Sequence, residues 1–436
     1  MKKLIYFEWL HFSRNIARPI ALLLFILAGC FGVYNGVTER QQRIAQQEAI
    51  DVKMATAHEK VYEWFESETY GAPDRPWVNV REPLWSMWYA GHHLIDNPEP
   101  AMVFNLGQSA HFGYYKAVSM MSTAFDSDLT AEIANPELVQ TGALDFTFVW
   151  LYLMPLLLVV LTFHIKGLEH DLGFLPLIKV QKPSVVVWLA GRLLMTGLSL
   201  VLVLSIFLII PALVLADLQF SDLQSLWPVY ALYLLLWLGL VYLVILFGNG
   251  QADQALKLVG IWLIFTVVVP GAVSEYVLLQ KPAGLMVDMI DAGRDGRAEI
   301  YERPKDEIVR EVISIVPELK ALEVAQADSL LTPNMINMAY SLVFTYYMSD
   351  ISNNIIAGQQ ARNQLIASTY WFNPVTGFHN WLNDISGTSH KTNLKFRKEI
   401  QNAGETINRR LVIDDWQRKE MDKASFDGYV DLFDEK

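Results

Sequence analysis

Cysteine is almost missing from this 436-residue chain: there is one, Cys30. No internal disulfide can form, and no cysteine-built metal cluster is available. Cys30 sits inside an apolar run and reads as a small packing residue. Positive charge is also in short supply. Thirty-four Lys and Arg face 46 Asp and Glu, giving a net charge of −12, which argues against nucleic acid as a partner. Nucleotide and hydrolase signatures are missing too. The chain holds no G-x-x-x-x-G-K-[ST], no H-E-x-x-H and no G-x-S-x-G. It does not bind ATP through a P-loop, and it reads as a non-enzyme. His92, His93 and His111 match no metal-ligand spacing and read as ordinary surface or core histidines.

Charge is missing altogether from five stretches. Pro19–Val37, Phe146–Phe163, Leu193–Ala216, Trp227–Phe247 and Leu258–Ser274 contain no Lys, Arg, Asp or Glu. Each has about the 20 residues that the roughly 30 Å hydrocarbon core demands. No ion or proton relay is readable in them, because such a relay needs an ionisable group at mid-depth. The first run is too long for a secretory leader and no A-x-A site follows it. Overall hydrophobic content is 53% and mean hydropathy is +0.25, which calls for a substantial polar part beside the spans. The fold class expected is all-α integral membrane protein with a mostly helical extramembrane domain.

Short loops set the expected orientation. Residues 1–18 hold Lys2, Lys3, Arg14 and Arg18. The 164–192 loop holds Lys166, Lys179, Lys182 and Arg192, and Lys257 follows the fourth run. The loop 217–226 has only Asp217 and Asp222. Residues 1–18, 164–192 and 248–257 are therefore expected in the cytoplasm, and 38–145 and 275–436 outside. The first 18 residues, "MKKLIYFEWLHFSRN" onward, read as an interfacial helix on the lipid surface. Residues 39–66 read as a helix continuing the first span. Further helices are expected near 298–330, 334–367 and 391–426. Neither outer segment has an obvious core of its own. Trp64, Phe65, Trp77, Trp85 and Trp88 are expected to pack against Phe344, Tyr346, Tyr347, Trp371 and Phe372, with a membrane-surface aromatic belt as the alternative.

One passage stands out between the second and third runs: "LEHDLGFLPLIKVQKPS", 168–184. Acidic Glu169 and Asp171 precede a Gly, and Lys179 and Lys182 close it, a charge order that suits a short helix dipole. Leu172, Phe174, Leu175, Leu177 and Ile178 could pack into a partner. An interfacial helix on anionic lipid is the alternative, disfavoured by the acidic residues. Asp145, at the head of the second run, reads first as an N-cap.

Several stretches taken together resemble a known family. "NLGQSAHFGYYKAVSMMSTAF" (105–125) supplies Gly107, Gln108 and Ser109, then Lys116 to Ser119. "NPELVQTGALDFTFVWLYLMPLLLVVLTF" (135–163) supplies Asn135, Pro136, Gly142, Asp145 and Pro155. "LEHDLGFLPLI" supplies Glu169, Gly173 and Leu175, and "NPVTGFHNWLNDISGTSH" (373–390) follows later. In order and placement these resemble ABC-2 type transporter permeases, in the subgroup with large outer loops catalogued as a domain of unknown function. Phe174 stands where that subgroup usually has threonine. The resemblance implies a permease subunit of an ATP-driven exporter in a bacterial inner membrane, with periplasmic outer segments. It implies a separate ATPase subunit that binds ATP and Mg, and a second permease, identical or similar. It makes 164–192 the coupling loop, with Glu169, Asp171, Gly173, Phe174 and Leu175 meeting the ATPase. It also implies a sixth span beyond Lys436. The different-class alternative is a membrane-anchored periplasmic binding, sensor or scaffold module.

Overall fold

The computed structural model describes residues 12, 15–67, 70–72, 74–75, 77–109, 112–120, 123–125, 144–181, 184–281, 285–325 and 330–432. Asn135, Pro136, Gly142, His111 and residues 1–11, 13 and 14 of the expected interfacial helix 1–18 lie outside the described residues.

Five helices among the described residues are long and apolar enough to cross a membrane: Ala17–Glu66, Phe146–Asp171, Val185–Val214, Phe220–Phe247 and Gln251–Gln280. These are spans 1 to 5, and they make this a multi-pass membrane protein by length and composition. All are longer than the apolar runs that announced them. Hydropathy marks the hydrocarbon-matched part of a helix, whereas the backbone ladder continues until a cap or turn stops it. Span 3 thus begins at Val185, capped by the Ser184 side chain, and carries Arg192 inside the helix instead of at its foot. The expected loop 248–257 shrinks to three residues before Gln251.

Span 1 is 50 residues, about 75 Å at 1.5 Å per residue. Its lower part is apolar. Its upper part runs on into a helical domain, as the 39–66 composition predicts. Glycines let other backbone approach it. A Cβ at Gly32 would lie 2.7 Å from the Asp145 carbonyl carbon, and one at Gly36 would lie 2.0 Å from the Val103 oxygen.

Span 2 contains a π-turn at Val149–Leu153, ahead of Pro155. Proline has no N–H, so the Leu151 carbonyl loses its usual donor four residues on. The Tyr233 hydroxyl of span 4 donates to that carbonyl at 2.6 Å. The Trp262 indole of span 5 donates to the Tyr152 carbonyl at 3.0 Å, and the Trp150 indole to the Tyr230 carbonyl at 3.1 Å. In lipid such cross-helix bonds hold helices that hydrophobicity alone would leave free to separate.

The domain is built from both outer segments around one core. Val61, Val80, Met87 and Phe125 from the first meet Val312, Leu342, Phe344, Ile407 and Trp416 from the second. Helices Pro333–Ala367 and His390–Trp416 form its centre, flanked by Leu285–Glu302 and Lys305–Ile315. The 334–367 expectation agrees within a residue. The expected helix 298–330 is broken where Pro304 and Pro317 remove ladder donors, and 391–426 is broken after Trp416, where Arg418 adopts φ +52°. A two-stranded antiparallel ribbon, His93–Ile95 with Tyr115–Ala117, was not foreseen. Trp64 and Phe65 pack on the core, but Trp77, Trp88 and Trp371 are 65%, 58% and 85% exposed. The aromatics are thus divided between the core and the surface.

Candidate functional site

Two polar clusters sit at opposite ends of the span bundle. The first holds the 164–184 passage. Lys166 adopts φ +62° and turns its ammonium under the end of span 4. It donates to the carbonyls of Ile245 (3.1 Å), Leu246 (2.5 Å) and Gly248 (3.0 Å), where the helix dipole is negative. Asp171 accepts the Gln251 amide at 3.1 Å, at the positive start of span 5. Glu169 pairs with Arg192 of span 3 at 2.6 Å. Arg192 is buried, so this ion pair works in a medium of low dielectric. The segment is therefore tied to spans 3, 4 and 5 at once.

Beyond Asp171 the chain projects. Gly173 at φ +73° makes the turn, a conformation costly for a residue with a Cβ, and the short helix Leu175–Gln181 follows. Leu172, Phe174, Leu177 and Val180 are 58%, 55%, 59% and 85% exposed. Leu175 and Ile178 are half-buried. The predicted residues thus separate. Glu169 faces inward and Asp171, itself exposed, caps the start of span 5; together they hold the segment, while Gly173, Phe174 and Leu175 belong to the projecting tip.

The second cluster lies at the other end, where the domain meets the spans. Asp145 caps span 2 by accepting the Phe148 amide at 2.7 Å. Its other oxygen accepts the Leu106 and Gly107 amides at 2.9 and 3.3 Å. Gly107 holds φ +50°, and a Cβ there would sit 2.4 Å from the Asn383 side-chain oxygen. That oxygen accepts from the Asn105 amide at 2.8 Å. Arg43 of span 1 donates to the Ser109 carbonyl at 2.7 Å, and Arg40 pairs with Asp217. Gln108 is exposed. The 105–109 turn thus meets Asp145 on one side and Asn383, from the far-off 373–390 stretch, on the other.

This second cluster is a joint. Asp145, Arg40, Arg43 and the Asn105 side-chain nitrogen are engaged with one another's segments and with backbone, while Asn105 Oδ1 and Ser386 Oγ are buried with no hydrogen-bond partner among the described residues. Among the described residues no group of three or more His, Cys, Asp or Glu is placed to hold a metal. Sequence reading found Asp145, Gly107 and Ser109 but missed Arg40, Arg43, Lys166 and Asn383. For Arg40, Arg43 and Lys166 the signal available was their place just beyond apolar runs, where a charged residue either meets lipid headgroups or serves a helix end; neutral Asn383 carried no such signal.

The arrangement defines a multi-pass helical membrane protein with a composite helical domain on one face and a tethered apolar tip on the other. Comparison adds one family: the model described as Domain of unknown function (DUF3526) matches residues 301–431. That stretch holds the domain's helices from Lys305 onward, including the 373–390 segment of the joint. No curated protein and no solved structure matches the chain.

Proposed function

We propose that this chain is the transmembrane subunit of an ATP-driven exporter of the ABC-2 permease type, moved by a separate ATPase. ATP and Mg belong to that partner. A second permease subunit, identical or similar, completes the pathway within the lipid bilayer of a bacterial inner membrane, with the domain on the periplasmic side. The observation that carries this reading is the tip. Leu172, Phe174, Leu177 and Val180 are exposed on a segment bonded to three spans. A soluble partner that grips those side chains pulls directly on the span bundle. An apolar tip merely resting on lipid needs no such triple anchorage. Gly173, Phe174 and Leu175 are the contact residues in this reading, and Glu169 and Asp171 transmit the movement.

The test is purification of the tagged chain from its native membranes, with wild type compared to Phe174→Asp and Leu177→Asp. Co-purification of a protein with Walker motifs and ATPase activity with wild type, and its loss from both variants at unchanged chain level, is the expected result. Retention by both variants would overturn the assignment.

A second reading, a membrane-anchored binding module, is favoured by an open polar cleft of about 1120 Å³ in the domain. Asn353, Gln360, Gln364, Lys391, Lys395 and Lys398 are among the residues that line it. That reading predicts no ATPase in the same purification.

A further inference from the structure

We propose that the helix Pro374–Ile385, with Trp371 and Phe372 leading into it, lies in the bilayer, in the leaflet on the domain side. It is a membrane-embedded element additional to the five spans. This inference does not depend on the transport reading.

The sequence permits it. Residues 368–383, "STYWFNPVTGFHNWLN", contain no Asp, Glu, Lys or Arg, in a domain otherwise densely charged. The helix is amphipathic, and both of its faces are assigned by contact. One face packs on the spans: Val375 and Leu382 are fully buried in the span core, and the Phe378 ring meets Tyr233 of span 4 at 5.1 Å. The same helix touches the π-turn Ile264–Val268 of span 5. Its C-terminal end is turned to the joint through buried Asn383, and buried Asn373 at its start accepts from the Thr376 hydroxyl.

The contacts fix its depth. Tyr233 lies six residues inside Trp227, the start of the fourth apolar run, which is about 9 Å along the helix axis. The π-turn Ile264–Val268 lies six to ten residues inside Ser274, the end of the fifth run, about 9–15 Å. Both spans therefore put the helix about 9 Å or more inside the edge of the apolar runs, at or below the roughly 5–10 Å at which interfacial amphipathic helices settle.

What remains outward is aromatic. Trp371 is 85% exposed, Trp381 49% and Phe372 37%. The surface beside them is the lipid-facing side of the spans, where Leu235, Ile264, Val267 and Val268 are 62%, 47%, 56% and 52% exposed. The Trp381 ring lies against Phe378, which itself meets Tyr233 of span 4, so the aromatic face adjoins the spans. Lipid is therefore the occupant, since any molecule covering these rings at this depth is already in contact with hydrocarbon. Trp rings prefer this boundary, with an apolar body in the chains and an N–H among the headgroups.

The test uses the single native cysteine. In a Cys30→Ser background, spin labels at Trp371→Cys and Trp381→Cys are compared with Leu235→Cys in a span and Trp77→Cys in the domain. The full chain is reconstituted in dioleoylphosphatidylcholine vesicles. Collision with oxygen, which concentrates in hydrocarbon, is set against collision with a water-soluble nickel chelate. Positions 371 and 381 are expected to behave as 235 does and unlike 77. Nickel access matching position 77 would place the helix in water and overturn the proposal. Low access to both reagents would mean a protein cover, a second copy included, and would overturn it equally. Because a labelled variant can misfold, a second arm uses native tryptophan. Trp371→Phe should reduce the share of fluorescence quenched by brominated lipid, and an unchanged share would count against the proposal.

Discussion

Replacing Asp145 with alanine should loosen the whole junction between domain and spans. The carboxylate accepts three backbone amides: Phe148, Leu106 and Gly107. Asp145 itself is buried and Leu106 is almost fully so. Losing the N-cap costs about 0.5–2 kcal/mol. Stranding a buried amide costs about 1–3 kcal/mol. Because one side chain serves all three, these do not simply add, and about 3 kcal/mol is the working figure. The assay is hydrogen exchange, read at amides that keep their own acceptors in the variant. Thr147 donates to the Phe104 carbonyl at 3.0 Å, and Thr388 to the Asn383 carbonyl at 3.0 Å. If Asp145 holds the joint, both should exchange roughly 100-fold faster, since each 1.4 kcal/mol is a factor of ten. Asp145→Asn, which keeps one acceptor oxygen, should fall between. Faster exchange at Leu106 and Gly107 alone, with Thr147 and Thr388 unchanged, would show only a local cap and refute the reasoning.

Further outcomes follow from single contacts. Glu169→Gln should lower thermal stability in detergent by about 2 kcal/mol, because Arg192 loses a carboxylate at 2.6 Å in a buried setting. Phe174→Asp should leave stability unchanged, and equal losses in the two variants would contradict the division between anchor and tip. Gly36→Ala should cost about 1–3 kcal/mol, since its methyl meets the Val103 backbone, whereas Gly260→Ala, with nothing within 4 Å, should be neutral. A neutral Gly36→Ala would mean that span 1 does not contact the 100–103 turn. His390 is held near a pKa of about 4 by burial, helped by Arg397 and Arg362. The native domain thus keeps it neutral while the unfolded chain protonates near 6.5, so its stabilising contribution is full above that value and lost as pH falls towards 4. His390→Gln should flatten the acid limb of domain stability over that window, and an identical limb would refute the assignment.

The spans were legible because lipid demands an uninterrupted apolar run, and charge is easily seen to be missing. Their ends were not, because a helix stops at caps such as Ser184 and turns such as Gly248–Gly250, which hydropathy does not register. Asp145 was legible as a cap, but its hold on Leu106 and Gly107 was not, since that needs a turn with positive φ brought to the same place. Phe174 and Leu177 were legible as part of an apolar stretch, but their exposure on a projecting tip was not. That Glu169 would turn inward could not be read, because only the folded chain sets Arg192 opposite it. Trp371 and Trp64 look alike as letters. Only packing shows that one is clothed by the domain core and the other left bare beside the spans.

The most direct measurement of the central claim is a photo-crosslinking amino acid placed at Leu177 and, separately, at Trp77, in native membranes. The account predicts that position 177 captures a protein with Walker motifs that hydrolyses ATP, that position 77 does not, and that the adduct yield at 177 changes when ATP is added. Adducts at 177 consisting only of lipid, with or without ATP, would contradict it.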